Sequence, residues 1–366
     1  MTPRPFAILA LMISAGLASA EELETSQGPV RIEPMIEGLD APWAVGILPD
    51  GSFLVTERDG DVLYVSDGKS QKVKGVPKVA ARGQGGLLDV TIARDFPQTR
   101  EVFLTFSKPQ STGAGTALAV ARLSENGKRL TNTRILFEAT PGGSGGRHFG
   151  SRVVEAEDGS LFVTIGDRGD QPEAQNRSNP IGSIIRINRD GSVPADNPFV
   201  GQADIRPEIW SYGHRNPQGA DLDAQGRLWT SEHGARGGDE VNLVQPGLNY
   251  GWPVISYGKH YSGKAIGEGT AKEGMEQPRH YWDPSIAPSG LMVYSGALWP
   301  EWRGDIFVGS LKFDYIARLD GTPPREVEQI KGPETERVRD VVEAPDGSIW
   351  FISVGNGAVF RLSPDR

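Results

Sequence analysis

The sequence predicts an all-β fold: a six-bladed β-propeller of four-stranded antiparallel blades, formed by residues 21–366 as a single domain. Three observations carry this. Gly and Pro supply 47 and 27 of the 366 residues, a density of turn formers that favours many short strands over long helices. A turn-and-strand unit recurs six times along the chain. No stretch has the apolar spacing of the long amphipathic helices that a barrel of alternating strands and helices requires.

The recurring strand is rich in β-branched and aromatic residues, the types that suit a pleated, packed surface. Its copies are Ser52–Arg58 (SFLVTER), Glu101–Lys108 (EVFLTFSK), Ser160–Asp167 (SLFVTIGD), Arg227–Gly234 (RLWTSEHG), Asp305–Lys312 (DIFVGSLK) and Ser348–Gly355 (SIWFISVG). Polar turns at Pro49–Gly51, Glu157–Gly159 and Pro345–Gly347 introduce three of them. Another short strand precedes each copy (AVGILP, LLDVTI, SRVVEA, GADLD, GLMVYS, VRDVVEA), and one follows it (DVLYVS, ALAVARL, SIIRIN, EVNLVQ, DYIARLD, AVFRLS). Six copies after residue 20 leave about 58 residues each, enough for a radial four-stranded blade. Runs such as FLVT and LFVTI are apolar on both faces, as strands between packed blades must be. Asp190-Gly191 and Asp346-Gly347 read as hairpin turns, and Trp210, Trp229 and Trp350 as wedges between blades. Extra length falls at Gln171–Ile205 and Tyr250–Trp282, which read as long loops; loops of that length on a rigid scaffold tend to carry function.

Residues 1–20 have the form of a secretory signal peptide: Arg4, an apolar run from Phe6 to Leu17, and a small-x-small site at Ala18-Ser19-Ala20. The run is too short to span a bilayer. The chain beyond it is expected to be periplasmic or secreted, with no membrane span. A formal charge of −9 argues against nucleic acid as a partner. The absence of Cys removes disulfides, thiolate nucleophiles and iron–sulfur clusters. No glycine-rich dinucleotide or nucleotide loop is present.

In a propeller the loops entering the innermost strands crowd one end of the axis. The residues in that phase are Pro42-Trp43, Gln84, Arg147-His148, His214-Arg215-Asn216, Ser289 and Arg337-Val338-Arg339. Bland turn residues would serve a purely structural repeat, so this set points to a polar axial site. His148 lies in the glycine-rich GGSGGRHFGSR, and Asp167 ends the next strand of the same copy. A His–Asp pair fixes the imidazole tautomer and raises its basicity, as a general base requires. Arg337 and Arg339, two apart and read as one strand face, join Lys312 as three cations suited to a ligand with carboxylates. The carbonyls of the turn at Gly234-Ala235, with Glu240 and Tyr250, offer the oxygen ligands calcium takes; a solvated acidic turn explains the same spacing. Trp43, Trp252, Tyr261 and Trp282 flank these segments, as wedges or as faces for a planar ligand.

The motifs RGQGGLLDV, GRHFGSR, TIGDRGD, PEIWSYGHRNPQG, SEHGARGGDEVN, NYGWPVISYG and YWDPSIAPSG resemble those of the soluble aldose sugar dehydrogenases dependent on pyrroloquinoline quinone (PQQ). They are similar also to the soluble PQQ glucose dehydrogenase and sorbosone-dehydrogenase-like proteins. The resemblance runs from about Glu33 to Leu362. It implies a six-bladed propeller that oxidises aldose sugars at the anomeric carbon to lactones and passes the electrons to an external acceptor. It implies PQQ and calcium as cofactors, with His148 as general base, Asp167 supporting it and Arg215 stabilising charge. Gln84, Arg215, Asn216, Tyr261, Lys312, Arg337 and Arg339 fall on cofactor-contacting positions. The Gly234 and Ala235 carbonyls match a calcium site at the cofactor, and Glu240 and Tyr250 a second, structural one. Ala235 stands where the soluble glucose dehydrogenase carries Pro. The alternatives are a calcium-dependent lactonase or hydrolase on the same scaffold and a non-catalytic sugar-binding propeller. Monomer and homodimer both fit the sequence.

Overall fold

The structure, a computed structural model, describes residues 23–365; the export segment lies outside them. Twenty-five strands form six antiparallel sheets, and the only α-helix among the described residues is the single turn Phe96–Thr99. The first strands of the blades are Pro42–Ile47, Leu87–Ile92, Val153–Glu155, Pro217–Leu222, Pro288–Val293 and Val338–Glu343. They neighbour one another in a closed ring around the axis. Each of the six repeated runs supplies the second strand of a blade: Phe53–Glu57, Glu101–Gln110, Leu161–Thr164, Leu228–Glu232, Ile306–Ser310 and Ile349–Ser353. The two stretches read as long loops each contain a strand, Ser183–Ile187 and His280–Trp282.

Blades I to V are consecutive in sequence and four-stranded, but blade VI is composite. Its C-terminal strands, ending at Ala358–Pro364, are joined by Gly28–Ile36 in antiparallel register, with Ile32 opposite Leu362 and Glu33 opposite Arg361. Leu23–Thr25 adds a fifth strand at the rim. The ring is closed by pairing the chain's beginning with its end.

The core is a set of seams. Val45, Val55, Trp350 and Ile352 pack blade VI on blade I; Leu54, Leu88, Leu104 and Phe106 pack I on II. Equivalent clusters fill the other seams, with Trp210 in the III–IV seam and Trp229 in the IV–V seam. Hydroxyls stitch the seams near the axis. Thr56 donates to the Leu88 carbonyl (2.5 Å), Thr105 to Ser151 (2.6 Å), Thr164 to Pro217 (2.9 Å) and Ser231 to Ser289 (2.8 Å). The four donors occupy one repeat position. Blade V has Gly309 there, and the stitch comes from Ser289, whose Oγ donates to the Val338 carbonyl at 2.7 Å. A Cβ on Gly309 would lie 2.5 Å from that Oγ, so the exchange of donor requires the glycine.

Arg152 closes the axial channel. Its guanidinium donates to Asp89 (2.9 Å) and the Gln218 carbonyl (2.7 Å), pairs with Asp340 (2.7 Å), and lies 4.5 Å from the Trp43 ring centroid. This buried pair of carboxylates around one cation divides the channel into two cavities of about 900 and 910 Å³, one at each end.

Candidate active site at the axial cavity

The 910 Å³ cavity opens at the end where chains enter the first strands and leave the second, and its lining includes Trp43, Gln84, Gln218, Tyr261, Lys312, Arg337 and Arg339. The loop that carries His148 beside it is tied down from several sides. The His148 backbone is left-handed (φ 54°), and its N–H donates to Gln84 Oε1 at 2.7 Å, while the Gln84 N–H donates to the Gly146 carbonyl at 2.7 Å. Arg168 donates to the Arg147 and Gly145 carbonyls and lies over the Phe149 ring. The close approach of this loop to the Asp167 segment needs Gly166: a Cβ there would sit 2.3 Å from the His148 carbonyl oxygen.

His148 Nδ1 bonds Asp167 Oδ1 at 2.6 Å. Asp167 is fully buried and also accepts from the Gly169 N–H (2.7 Å) and from Trp252 Nε1 (2.8 Å). Burial acts to raise the Asp167 carboxyl, but donation from His148 and Gly169 outweighs it and holds the group below the ordinary carboxylate range. Burial lowers the His148 imidazole below the ordinary histidine value, opposed by Asp167 and assisted by Arg215 and Arg147. A neutral His148 that donates from Nδ1 to a carboxylate has its Nε2 lone pair available as a base.

The Arg215 backbone N–H donates to Glu232 (2.8 Å) and its Nη1 to the His233 carbonyl (3.1 Å), and the guanidinium lies 5.3 Å from the Trp252 ring centroid. Its Nε is buried without a partner. Tyr261, 76% exposed, stands at the mouth within electrostatic reach of Arg215. Asn216 is buried and turned inward, its Oδ1 accepting from the Gly150 N–H at 3.1 Å; it braces the His148 loop.

The three cations reach the same cavity by a different route from the expected strand face. Arg337 is left-handed (φ 55°) and precedes the strand that starts at Val338; only Arg339 is a strand residue. A backbone reversal, not alternation along a strand, brings both to the cavity. Their partners among the described residues are uncharged: Arg339 donates to Gln218 Oε1 (2.7 Å), Arg337 to the Leu311 carbonyl (3.2 Å) and Lys312 to the Ser285 carbonyl (3.1 Å). Burial, then repulsion from Arg337, Arg152 and Arg58, destabilises the charge on Arg339. A guanidinium does not escape by losing its proton, so this cluster calls for an anion.

The metal-ligand candidates divide between two places. Gly234 and Ala235 line the large cavity, and among the described residues no donor is bonded to either carbonyl. Glu240 and Tyr250 line a small adjoining chamber with Arg215, Glu232 and Ser256, and His233 and Gly234 border both spaces. Glu232 and Glu240 are directly opposite on paired strands, and Asn242 donates to both carboxylates. Burial, then the neighbouring Glu232, raises the Glu240 carboxyl. The Tyr250 hydroxyl is already engaged, donating to Leu243 (2.7 Å) and accepting from Gln245 (2.9 Å), which leaves its backbone carbonyl as the possible ligand atom.

Arg58, Gln218 and His233 also line the large cavity and were not picked out from the sequence, nor was the Trp252 bond to Asp167. A signal for Arg58 and His233 existed. Both stand two residues after the stitching hydroxyl, where the second strand leaves its blade, one residue before the repeat position that holds Asp167, Gly234 and Lys312.

The family model for glucose/sorbosone dehydrogenases matches residues 39–361. The chain is 40% identical to the aldose sugar dehydrogenase YliI of Escherichia coli K12, covering 92% of this chain and 93% of that one. The crystal structure of the soluble aldose sugar dehydrogenase of Escherichia coli in its apo-form superposes with a TM-score of 0.88 at 39% identity, covering 92% of this chain and 99% of the other. The PQQ-bound aldose sugar dehydrogenase of Streptomyces coelicolor superposes at 0.76 with 26% identity, covering 91% and 98%. A match of this extent, on a propeller with the same architecture, leaves one conclusion: the chain is an enzyme of the glucose/sorbosone dehydrogenase family.

Proposed function

We propose that the protein oxidises aldose sugars at the anomeric carbon to lactones, using PQQ and calcium, and passes the electrons to an external acceptor. The observation that carries this is one of position. A buried His–Asp pair stands beside a cavity whose cations lack carboxylate partners among the described residues. A planar tricarboxylate suits that donor set: Lys312, Arg337 and Arg339 answer its charge, and the Arg215 guanidinium, within reach of the cavity-lining Tyr261, adds another cation. The free carbonyls of Gly234 and Ala235 suit a hard cation beside it. Glu240, Glu232 and the Tyr250 carbonyl suit a second calcium whose part is structural.

When bound, PQQ supplies the two-electron acceptor and calcium a Lewis acid. The chain's own residues do the rest. His148 Nε2 takes the proton of the anomeric hydroxyl as the anomeric C–H bond gives up its hydride, and the C–O bond becomes the lactone carbonyl. Asp167 stabilises the imidazolium that forms and holds the ring's orientation. Arg215 stabilises negative charge developing next to it. Gln84 and Asn216 keep the His148 loop in place.

Residues 1–20 direct export in this reading, and the enzyme acts in the periplasm or outside the cell. Among the described residues no helix is long and apolar enough to cross a membrane.

Reconstitution tests the proposal. Purified apoprotein with calcium is titrated with PQQ while dye reduction is followed with glucose and a panel of aldoses. Saturable activity at one PQQ per chain is expected. Failure to bind PQQ would remove the redox assignment and leave a calcium-dependent hydrolase or a sugar-binding propeller.

A further inference from the structure

We propose that Arg58 is a further ligand-binding cation of the axial site and binds a carboxylate of the anionic ligand there. The inference rests on the reading of that ligand as PQQ. Arg58 leaves blade I directly after the strand Phe53–Glu57, in the repeat position of His233 in blade IV and Leu311 in blade V, and all three line the cavity.

Its backbone is pinned on both sides. The Arg58 N–H donates to the Ala41 carbonyl at 3.2 Å, and its carbonyl accepts from the Leu87 N–H at 2.9 Å. The side-chain stem then passes over Gly86. A Cβ at that position would lie 2.6 Å from Arg58 Cγ and closer still to the Arg58 carbonyl. Gly86 therefore leaves the space through which the stem runs. The adjacent carboxylate does not neutralise the guanidinium: Glu57 is buried and accepts from the Asp40 N–H at 2.6 Å. Arg58 is half-buried, and no side-chain hydrogen bond or ion pair engages it among the described residues.

The charge balance of the cavity points the same way. Its lining holds Arg58, Arg236, Lys312, Arg337 and Arg339 against the single carboxylate of Asp283. Arg58 is one of the cations whose repulsion burdens Arg339. A half-buried cation held in place without a partner, beside other cations, weakens the empty protein. It becomes favourable only when an anion occupies the cavity, where a charge-assisted bond forms.

The test compares wild type with Arg58→Gln and Arg58→Lys, each as apoprotein with calcium. Two quantities are measured: the Tm before ligand is added, and the PQQ dissociation constant by fluorescence quenching or calorimetry. Wild type binds PQQ. Arg58→Gln is expected to bind it about tenfold or more weakly, with an apoprotein Tm unchanged or raised. Arg58→Lys is expected to lie between the two. Equal PQQ affinity in Arg58→Gln and wild type would overturn the assignment. So would an apoprotein Tm that falls in both variants, which would make Arg58 structural. A raised KM for sugar with unchanged PQQ affinity would assign Arg58 to the substrate and overturn the proposal as well. Failure of the wild type to bind PQQ would instead strike the cofactor reading itself.

Discussion

His148 and Asp167 set the pH behaviour expected of the enzyme. In the proposed mechanism His148 must be neutral to act as base, and burial lowers its affinity for a proton. Activity should therefore rise as pH rises through a value below the ordinary histidine pKa and then level off. Asp167→Asn removes the carboxylate that opposes this lowering, so the acid limb should move to lower pH while the plateau of kcat falls by about tenfold or more. The pH profile of kcat/KM for the two proteins checks both. His148→Ala should cost at least about a hundredfold in turnover and leave PQQ affinity within a few-fold; unchanged turnover would remove His148 from the mechanism. The pair was legible because both residues lie in one copy of the repeat, 19 apart. The third anchor of the carboxylate, the Trp252 indole, lies 85 residues from Asp167. Nothing in local periodicity links them, since a loop between the third and fourth strands of blade IV carries Trp252 across to blade III. Arg58 is hidden for another reason: it stands directly after Glu57, where a charged pair reads as an ordinary strand end.

Blades and seams explain why the rest of the architecture could be read in advance. Second strands repeat visibly because each must be apolar on both faces, and the stitching hydroxyl recurs in them as Thr56, Thr105, Thr164 and Ser231. Five of the six first strands are bulged, and the reversal at Arg337 falls just before one of them, where alternation along a strand does not reach. The pairing of Gly28–Ile36 with the far end of the chain leaves no local mark at all. The seams make predictions of their own. Thr105→Val removes the donor to a buried carbonyl and should cost about 1–3 kcal/mol by denaturant unfolding. Arg152→Met leaves Asp89 and Asp340 buried without their cation and should cost about 3–5 kcal/mol. Val replacement at an exposed Thr serves as the control, with a change of about 0.5 kcal/mol or less.

At the scale of the whole molecule, calcium is expected to act as a stabiliser as well as a cofactor. A chelator should lower Tm reversibly, by an amount equivalent to about 3 kcal/mol when calcium had been present at a hundred times its dissociation constant. Glu240→Gln should abolish most of that shift while leaving PQQ binding measurable, because Glu240 lines only the small chamber and not the large cavity. Differential scanning calorimetry with and without chelator decides it. The composite blade has a further effect, on the order of events during synthesis. Gly28–Ile36 is among the first segments made and Ala358–Pro364 among the last. The ring cannot lock until Ala358–Pro364 has been made, and contacts this distant in sequence form slowly. Until then Val30 and Ile32, buried in the finished protein, lack the C-terminal strand that pairs with them. A product cut short of Ala358–Pro364 keeps that edge open to proteases and chaperones, so resistance to digestion reports that synthesis has passed this strand.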